Sequence, residues 1–200
     1  MRLLWEVTEV KNKTWILVCV LLLFALSGCG AGHDAIMRRA VSYAEENREL
    51  LQACAQELQA LLCEEAGDSA RTSVLSYKIE RQDASKLRLY NYAEEREESF
   101  ENARCEEVLR GGLVQSISVH AANGICSVAF SCGGQGVGSN TAYYDIQIIP
   151  SDNAEDLWGF DSKMTFAERA PGFLGRAAEG DNSFFYYRIA EGVYYTEAFY

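Results

Sequence analysis

His120 and Cys126 lie in the segment LVQSISVHAANGICSVAFSC, and a cysteine beside a histidine can make a nucleophile and its base. Two alternating runs in this segment flank Asn123 and Gly124, a pair that favours a two-residue type I′ turn because both positions take positive φ. That register pairs Ala122 with Ile125, Val119 with Val128 and Ile117 with Phe130. Ile117, Val119, Ala121, Cys126, Val128, Phe130 and Cys132 then form a core face. Ser116, Ser118, His120, Ser127 and Ser131 form the other, which is expected to meet solvent. His120 and Cys126 fall on opposite faces, so the expected role of His120 is that of an exposed strand residue.

Other residue groups give weaker signals. The cysteines contain no C-x-x-C and the chain has no H-E-x-x-H, so no metal site is expected. Cys54 and Cys126 fall on apolar faces and read as core residues. Cys126 and Cys132 are roughly 20 Å apart on a continuous strand and cannot bond each other. GGQGVGS lies between two strands and lacks the lysine of a phosphate cradle, so it reads as an inter-strand loop. Ser151, Asp152 and Asn153 spell S-D-N, but S-x-x-K, K-T-G and G-x-S-x-G are all missing. Asp152, Glu155, Asp156 and Asp161 surround Trp158, yet Ala154 occupies a position that an EF-hand loop needs for a ligand. No cofactor is expected.

Aromatic residues crowd the C-terminus: Phe184, Phe185, Tyr186, Tyr187, Tyr194, Tyr195, Phe199 and Tyr200. Adjacent pairs put rings on both faces of each strand. One face would fill the core, and the other could be displayed to stack on sugar rings or to meet a protein partner.

The N-terminus speaks to location. The apolar run Trp15 to Leu26 is 12 residues long, whereas a membrane span needs roughly 20. Arg2, Lys11 and Lys13 precede it and Ser27 and Gly28 close it, which is the layout of a secretory signal. Leu26, Ser27, Gly28 and Cys29 together resemble the lipobox of bacterial prolipoproteins, a resemblance confined to the first 29 residues. It implies a thioether-linked diacylglyceryl group on Cys29 and cleavage between Gly28 and Cys29. Residues 1–28 are then a signal peptide and 29–34 the lipidated cysteine with a short tether that includes His33. Residues 35–200 form a single domain held outside the cytoplasm by its acyl chains.

Loss of the signal removes Arg2, Lys11 and Lys13 from the 18 basic residues and Glu6 and Glu9 from the 29 acidic ones, so the remainder carries −12. Such a domain should avoid nucleic acid and anionic lipid surfaces. Cys54, Cys63, Cys105, Cys126 and Cys132 remain for the domain, an odd number that leaves at least one thiol or an intermolecular bond.

The elements that would position these groups begin with a long amphipathic helix from Asp34 to about Glu65, its stripe made by Ile36, Ala40, Tyr43, Leu51, Cys54, Leu58 and Leu61. Strands are expected over 72–81 and 86–90, then a second helix over 92–110 capped by Asn91. Further strands follow over the His120 hairpin, over AYYDIQIIP and in the terminal aromatic segment. Residues 162–182 read as irregular, with a turn at Pro171 and Gly172. The expected fold class is α+β, a long N-terminal helix packed on a mostly antiparallel sheet of about five to seven strands.

The functional expectation is a lipid-anchored extracytoplasmic protein, non-enzymatic, acting in binding or as a structural part of the cell envelope. The alternative is a surface lipoprotein that binds an envelope glycan through Trp158, Tyr186, Tyr187, Tyr194 and Tyr195. A third is an envelope hydrolase built on acids such as Asp145 and Asp152.

Overall fold

The computed structural model describes residues 34–64, 75–83, 86–122, 125–137, 140–150, 165–169, 171–176 and 183–199. The chain forms two compact units, Met1–Arg38 and Arg39–Tyr200. Of the first, only residues 34–38 are described, and they are helical.

The second unit is dominated by one antiparallel sheet. Its strands are β1 (Leu75–Arg81), β2 (Leu87–Asn91), β3 (Arg96–Phe100), β4 (Ser116–Ala122), β5 (Ile125–Val137), β6 (Asn140–Ile148), β7 (Thr165–Arg169), β8 (Gly172–Arg176), β9 (Ser183–Ala190) and β10 (Val193–Phe199). They run in the spatial order β3-β2-β1-β4-β5-β6-β10-β9-β8-β7. Ten strands exceed the expected number, and the fold is mostly β rather than α+β.

The long N-terminal helix is not seen. Its place is taken by shorter pieces, α1 (residues 39–46 of a helical run that begins at 34) and α2 (Arg48–Gln59), followed by a π-helical turn at Ala60–Glu64. The break falls at Asn47, which sits at φ −114°, ψ 20°. Its side-chain Nδ2 donates to the Tyr43 carbonyl at 2.9 Å, the local competition with helix geometry that asparagine is prone to. Of the expected stripe, Ala40, Leu51, Cys54 and Leu58 are fully buried, joined by Ala44 and Ala55, while Ile36 and Tyr43 are half-buried. Leu61 is 43% exposed instead, because the wider π turn rotates it off the stripe. No helix among the described residues is long and apolar enough to cross a membrane.

The expected helix over 92–110 is also corrected. Asn91 Oδ1 does accept from the backbone N–H of Ala93 and Glu94, but it caps a tight turn that Glu95 completes at φ 50°. The turn leads back into β3. The true helix is α3 (Ala103–Arg110), capped by Asn102, whose Oδ1 accepts from Cys105 N–H at 2.9 Å.

The β4–β5 hairpin has the predicted register, with Ala122 facing Ile125, Val119 facing Val128 and Ile117 facing Phe130. Repetition of such pairings builds one apolar row across seven strands: Leu89, Ile79, Ile117, Phe130, Ile146, Tyr195 and Tyr187. All but Tyr187 are buried. α2 packs on β5 and β6 and touches α3, which reaches β1. At roughly 1.5–3 kcal/mol per fully buried large apolar side chain, this row and the helix stripe are the main source of stability.

GGQGVGS is not a free loop. β5 runs through its first glycines, and the register slips between Ser131 and Gly134, a bulge that absorbs one extra residue. Gly133 in the bulge has φ +116°, which favours glycine. Residues 165–169 and 172–176, expected to be irregular, pair as β7 and β8 around the predicted turn at Pro171.

Candidate functional site

The strand alternation sorts the chemistry onto two faces. One carries the apolar row under the helices. The other carries a second row, one residue per strand: Arg88, Glu80, Ser116, Ser131, Asp145, Thr196, Tyr186 and Phe173. Seven steps of about 4.8 Å make this polar and aromatic track roughly 34 Å long.

At its charged end, Arg88 reaches Glu80 at 2.9 Å and Glu97 at 3.3 Å. Lys78 also pairs with Glu80, and its hydrogen bond holds the Glu80 carboxyl below the usual carboxylate range, against the opposing effect of burial and with help from Arg88. In the middle, Asp145 stands opposite Ser131 and Thr196. Burial pushes its carboxyl up to about 6, tempered by a hydrogen bond from Ser131. At the aromatic end, Phe173 stacks on Tyr186 with centroids 5.2 Å apart and planes 18° from parallel, and Phe173 is 43% exposed. Tyr186 meets Tyr194 edge to face beside the buried Ile149.

His120 lies on this face too, half-buried rather than exposed, with Nδ1 3.0 Å from Ser76 Oγ. Burial lowers its pKa, which keeps the imidazole neutral at pH 7. Cys126 is on the opposite face, as the register requires, and is bonded to Cys63. His120 and Asp145 are two strands and about four residues apart, roughly 16 Å by strand spacing, too far to act as a dyad.

The face of the apolar row also gathers Tyr195, Glu197, Tyr144 and Cys132. Glu197 and Tyr195 are buried at 1% and 0% exposure. Burial, then the neighbouring Glu197, drives the Tyr195 phenol far above its ordinary pKa. Burial pushes the Cys132 thiol up to about 12, with Asp145 adding to the effect. Tyr144 is raised by burial and Glu197, and Tyr43 by burial and then Cys132 and Cys54. Groups held protonated in this way carry no charge at neutral pH, and a thiol near 12 supplies almost no thiolate for nucleophilic attack.

Asp145 and Glu197 cannot form a carboxylate pair, because they lie on opposite faces of adjacent strands. Asp152, Trp158 and Cys29 lie outside the described residues. Of the four expected display tyrosines, Tyr194 and Tyr195 are buried at 1% and 0% exposure, while Tyr186 and Tyr187 are half-buried. Among the described residues the exposed rings are Phe173, Tyr143 and Tyr92, none of them among the terminal tyrosines. Alternation could have placed Tyr143 on the same face as Asp145.

Among the described residues, two surface grooves border α2. One of about 730 Å³ is lined by Glu57, Leu61, Asn102 and Arg104, with Glu57 held by Asn102 at 3.3 Å and by an ion pair to Arg104. A second, of about 260 Å³, presents Gln52, Gln56 and Gln59 toward Pro150 and Glu191, and Gln59 is engaged with the Cys126 carbonyl at 2.9 Å. Among the described residues no group of three His, Cys, Asp or Glu is placed to hold a metal ion. Compared with family models, curated proteins and solved structures, the chain matches none.

Proposed function

We propose that this chain is an exported bacterial lipoprotein, anchored through Cys29 to the outer face of a membrane, whose sheet domain serves a binding or structural role in the cell envelope rather than catalysis. The Cys63–Cys126 disulfide is the observation that carries the reading. Structural disulfides persist in oxidising compartments outside the cytoplasm, the side of the membrane to which a lipobox directs a protein. The chemistry of the two faces supports the non-catalytic part. Glu80 is held by Lys78 and Arg88, Asp145 by Ser131, and the thiol of Cys132 is protonated.

Fractionation of cells producing wild-type chain and a Cys29→Ala variant tests the anchor. Wild type should leave membranes only with detergent and carry a lipid mass on Cys29, while the variant is released or retained as precursor. Unchanged membrane behaviour with no lipid on the wild type would refute it.

The Phe173–Tyr186 stack favours a second reading, glycan binding by the aromatic end of the track. It shifts the expected contact from Tyr194 and Tyr195 to Phe173. A saturable thermal shift with an envelope glycan, lost in Phe173→Ala, supports that reading; no shift across a glycan panel argues for a protein partner or a structural role.

A further inference from the structure

We propose that Cys54 and Cys105 form a second disulfide that clamps α3 onto α2 and leaves Cys132 as the remaining thiol among the described cysteines. The inference rests on the exported reading above for its compartment, and on geometry for its partners. The two Sγ atoms are 3.5 Å apart and both side chains are fully buried. Closure to the roughly 2 Å of a bond therefore asks for a small side-chain rotation, not for movement of an element. The elements they join are already held together by the Glu57–Arg104 ion pair and the Asn102–Glu57 hydrogen bond. Cys132, the third unbridged cysteine, sits instead in the β5 bulge with its thiol directed to the Phe130 carbonyl at 3.6 Å.

The oxidant is a disulfide, that of a thiol oxidoreductase or of oxidised glutathione. One protein thiolate attacks it to give a mixed disulfide and a released thiol, and the second protein thiolate displaces the other half. One S–S bond forms and one breaks, and two electrons and two protons leave the protein pair for the acceptor. Timing follows from burial. In the folded chain the contact with Cys54, and then burial, raise the Cys105 thiol far above its ordinary pKa, so exchange belongs to the folding chain, before α3 docks. Once closed, the bond is shielded from reductants.

The test is peptide mapping after thiol alkylation under denaturing, non-reducing conditions. Trypsin with a protease that cuts after glutamate separates Cys54 from Cys63 at Glu57, and chymotrypsin separates Cys126 from Cys132 at Phe130. Two samples are compared: full-length chain refolded in detergent with reduced and oxidised glutathione, and chain extracted from membranes after alkylation of whole cells. Linked Cys54 and Cys105 peptides are expected in both, beside linked Cys63 and Cys126, with Cys132 alkylated. Alkylated Cys54 and Cys105 in refolded chain that carries the Cys63–Cys126 link would overturn the proposal, as would a link from either to Cys132. Both links in the refolded chain with none in the membrane sample would instead overturn the oxidising-compartment reading.

Discussion

Replacing Asp145 by Asn should stabilise the protein at neutral pH. Asp145 lies in mid-sheet, opposite Ser131 and Thr196, and burial lifts its carboxyl from 3.8 to about 6. The folded state then binds more protons than the unfolded state between those values, so stability falls as pH rises through them. At 1.36 kcal/mol per tenfold change in acidity, full ionisation costs about 3 kcal/mol, or roughly 1.5–3 once the side chain's partial contact with water is allowed for. Asparagine keeps an oxygen that can accept from Ser131 and loses the charge. Urea melts of wild type and variant at pH 4 and 7.5 should agree closely at the lower pH and separate at the higher. A separation of about 2 kcal/mol corresponds to roughly 4–8 °C in melting temperature for a chain of this size. Comparing the two proteins cancels most of the pH dependence of the other acids. Equal destabilisation of the variant at both pH values would refute the reasoning, because the loss would then come from packing and not from a buried charge.

Leu58→Ala, in the fully buried stripe of α2, should cost about 2–5 kcal/mol in a urea melt, whereas Leu61→Ala, 43% exposed on the π turn, should cost well under about 1. Gly172→Ala should loosen the β7–β8 edge, since a Cβ there would run into the Tyr186 carbonyl and the Phe185 ring; faster amide exchange in residues 165–176, with β4–β5 protected, is the expected signature. A strong reductant present during unfolding should lower the urea midpoint. The chain-entropy model assigns about 4 kcal/mol to closing a loop as long as the 63-residue separation of Cys63 and Cys126.

What was legible in the sequence follows how local the signal is. The register of β4 on β5 was readable to the residue because an Asn-Gly dipeptide in the sequence favours a two-residue connection, and alternation on both arms admits one register with a buried face. β3 was invisible for the opposite reason. Its residues, Arg96, Glu97, Glu98, Ser99 and Phe100, form an edge strand exposed over its first four positions. Charge along an edge guards against pairing with other chains, and the same Arg and Glu residues favour helix when read in isolation. Of the expected stripe, Ala40, Leu51, Cys54 and Leu58 are buried, Ile36 and Tyr43 only half-buried, and the single long helix meant to carry it is broken. Asn47 and the π turn were missed, because a three-to-four residue period continues through a break that depends on one side chain bonding back to Tyr43. Cys63 pairs with Cys126 from that π turn, and pairing of such distant residues is not fixed by spacing.

β10 carries the same lesson into the candidate site. VYYTEAF shows no alternation, and its first six residues, Val193 to Ala198, are all buried. A strand flanked by partners on both edges and covered on both faces has no reason to alternate, so adjacent aromatics are as consistent with a fully buried strand as with a displayed surface. The strand's position decides between them, since β10 lies between β6 and β9 near the centre of the sheet. Phe173, by contrast, lies on β8, one strand from the edge, and keeps 43% of its surface in water. Ring count therefore points to the tyrosines of the interior, while strand order points to Phe173 and the track that ends there; strand order is the quantity the sequence did not carry.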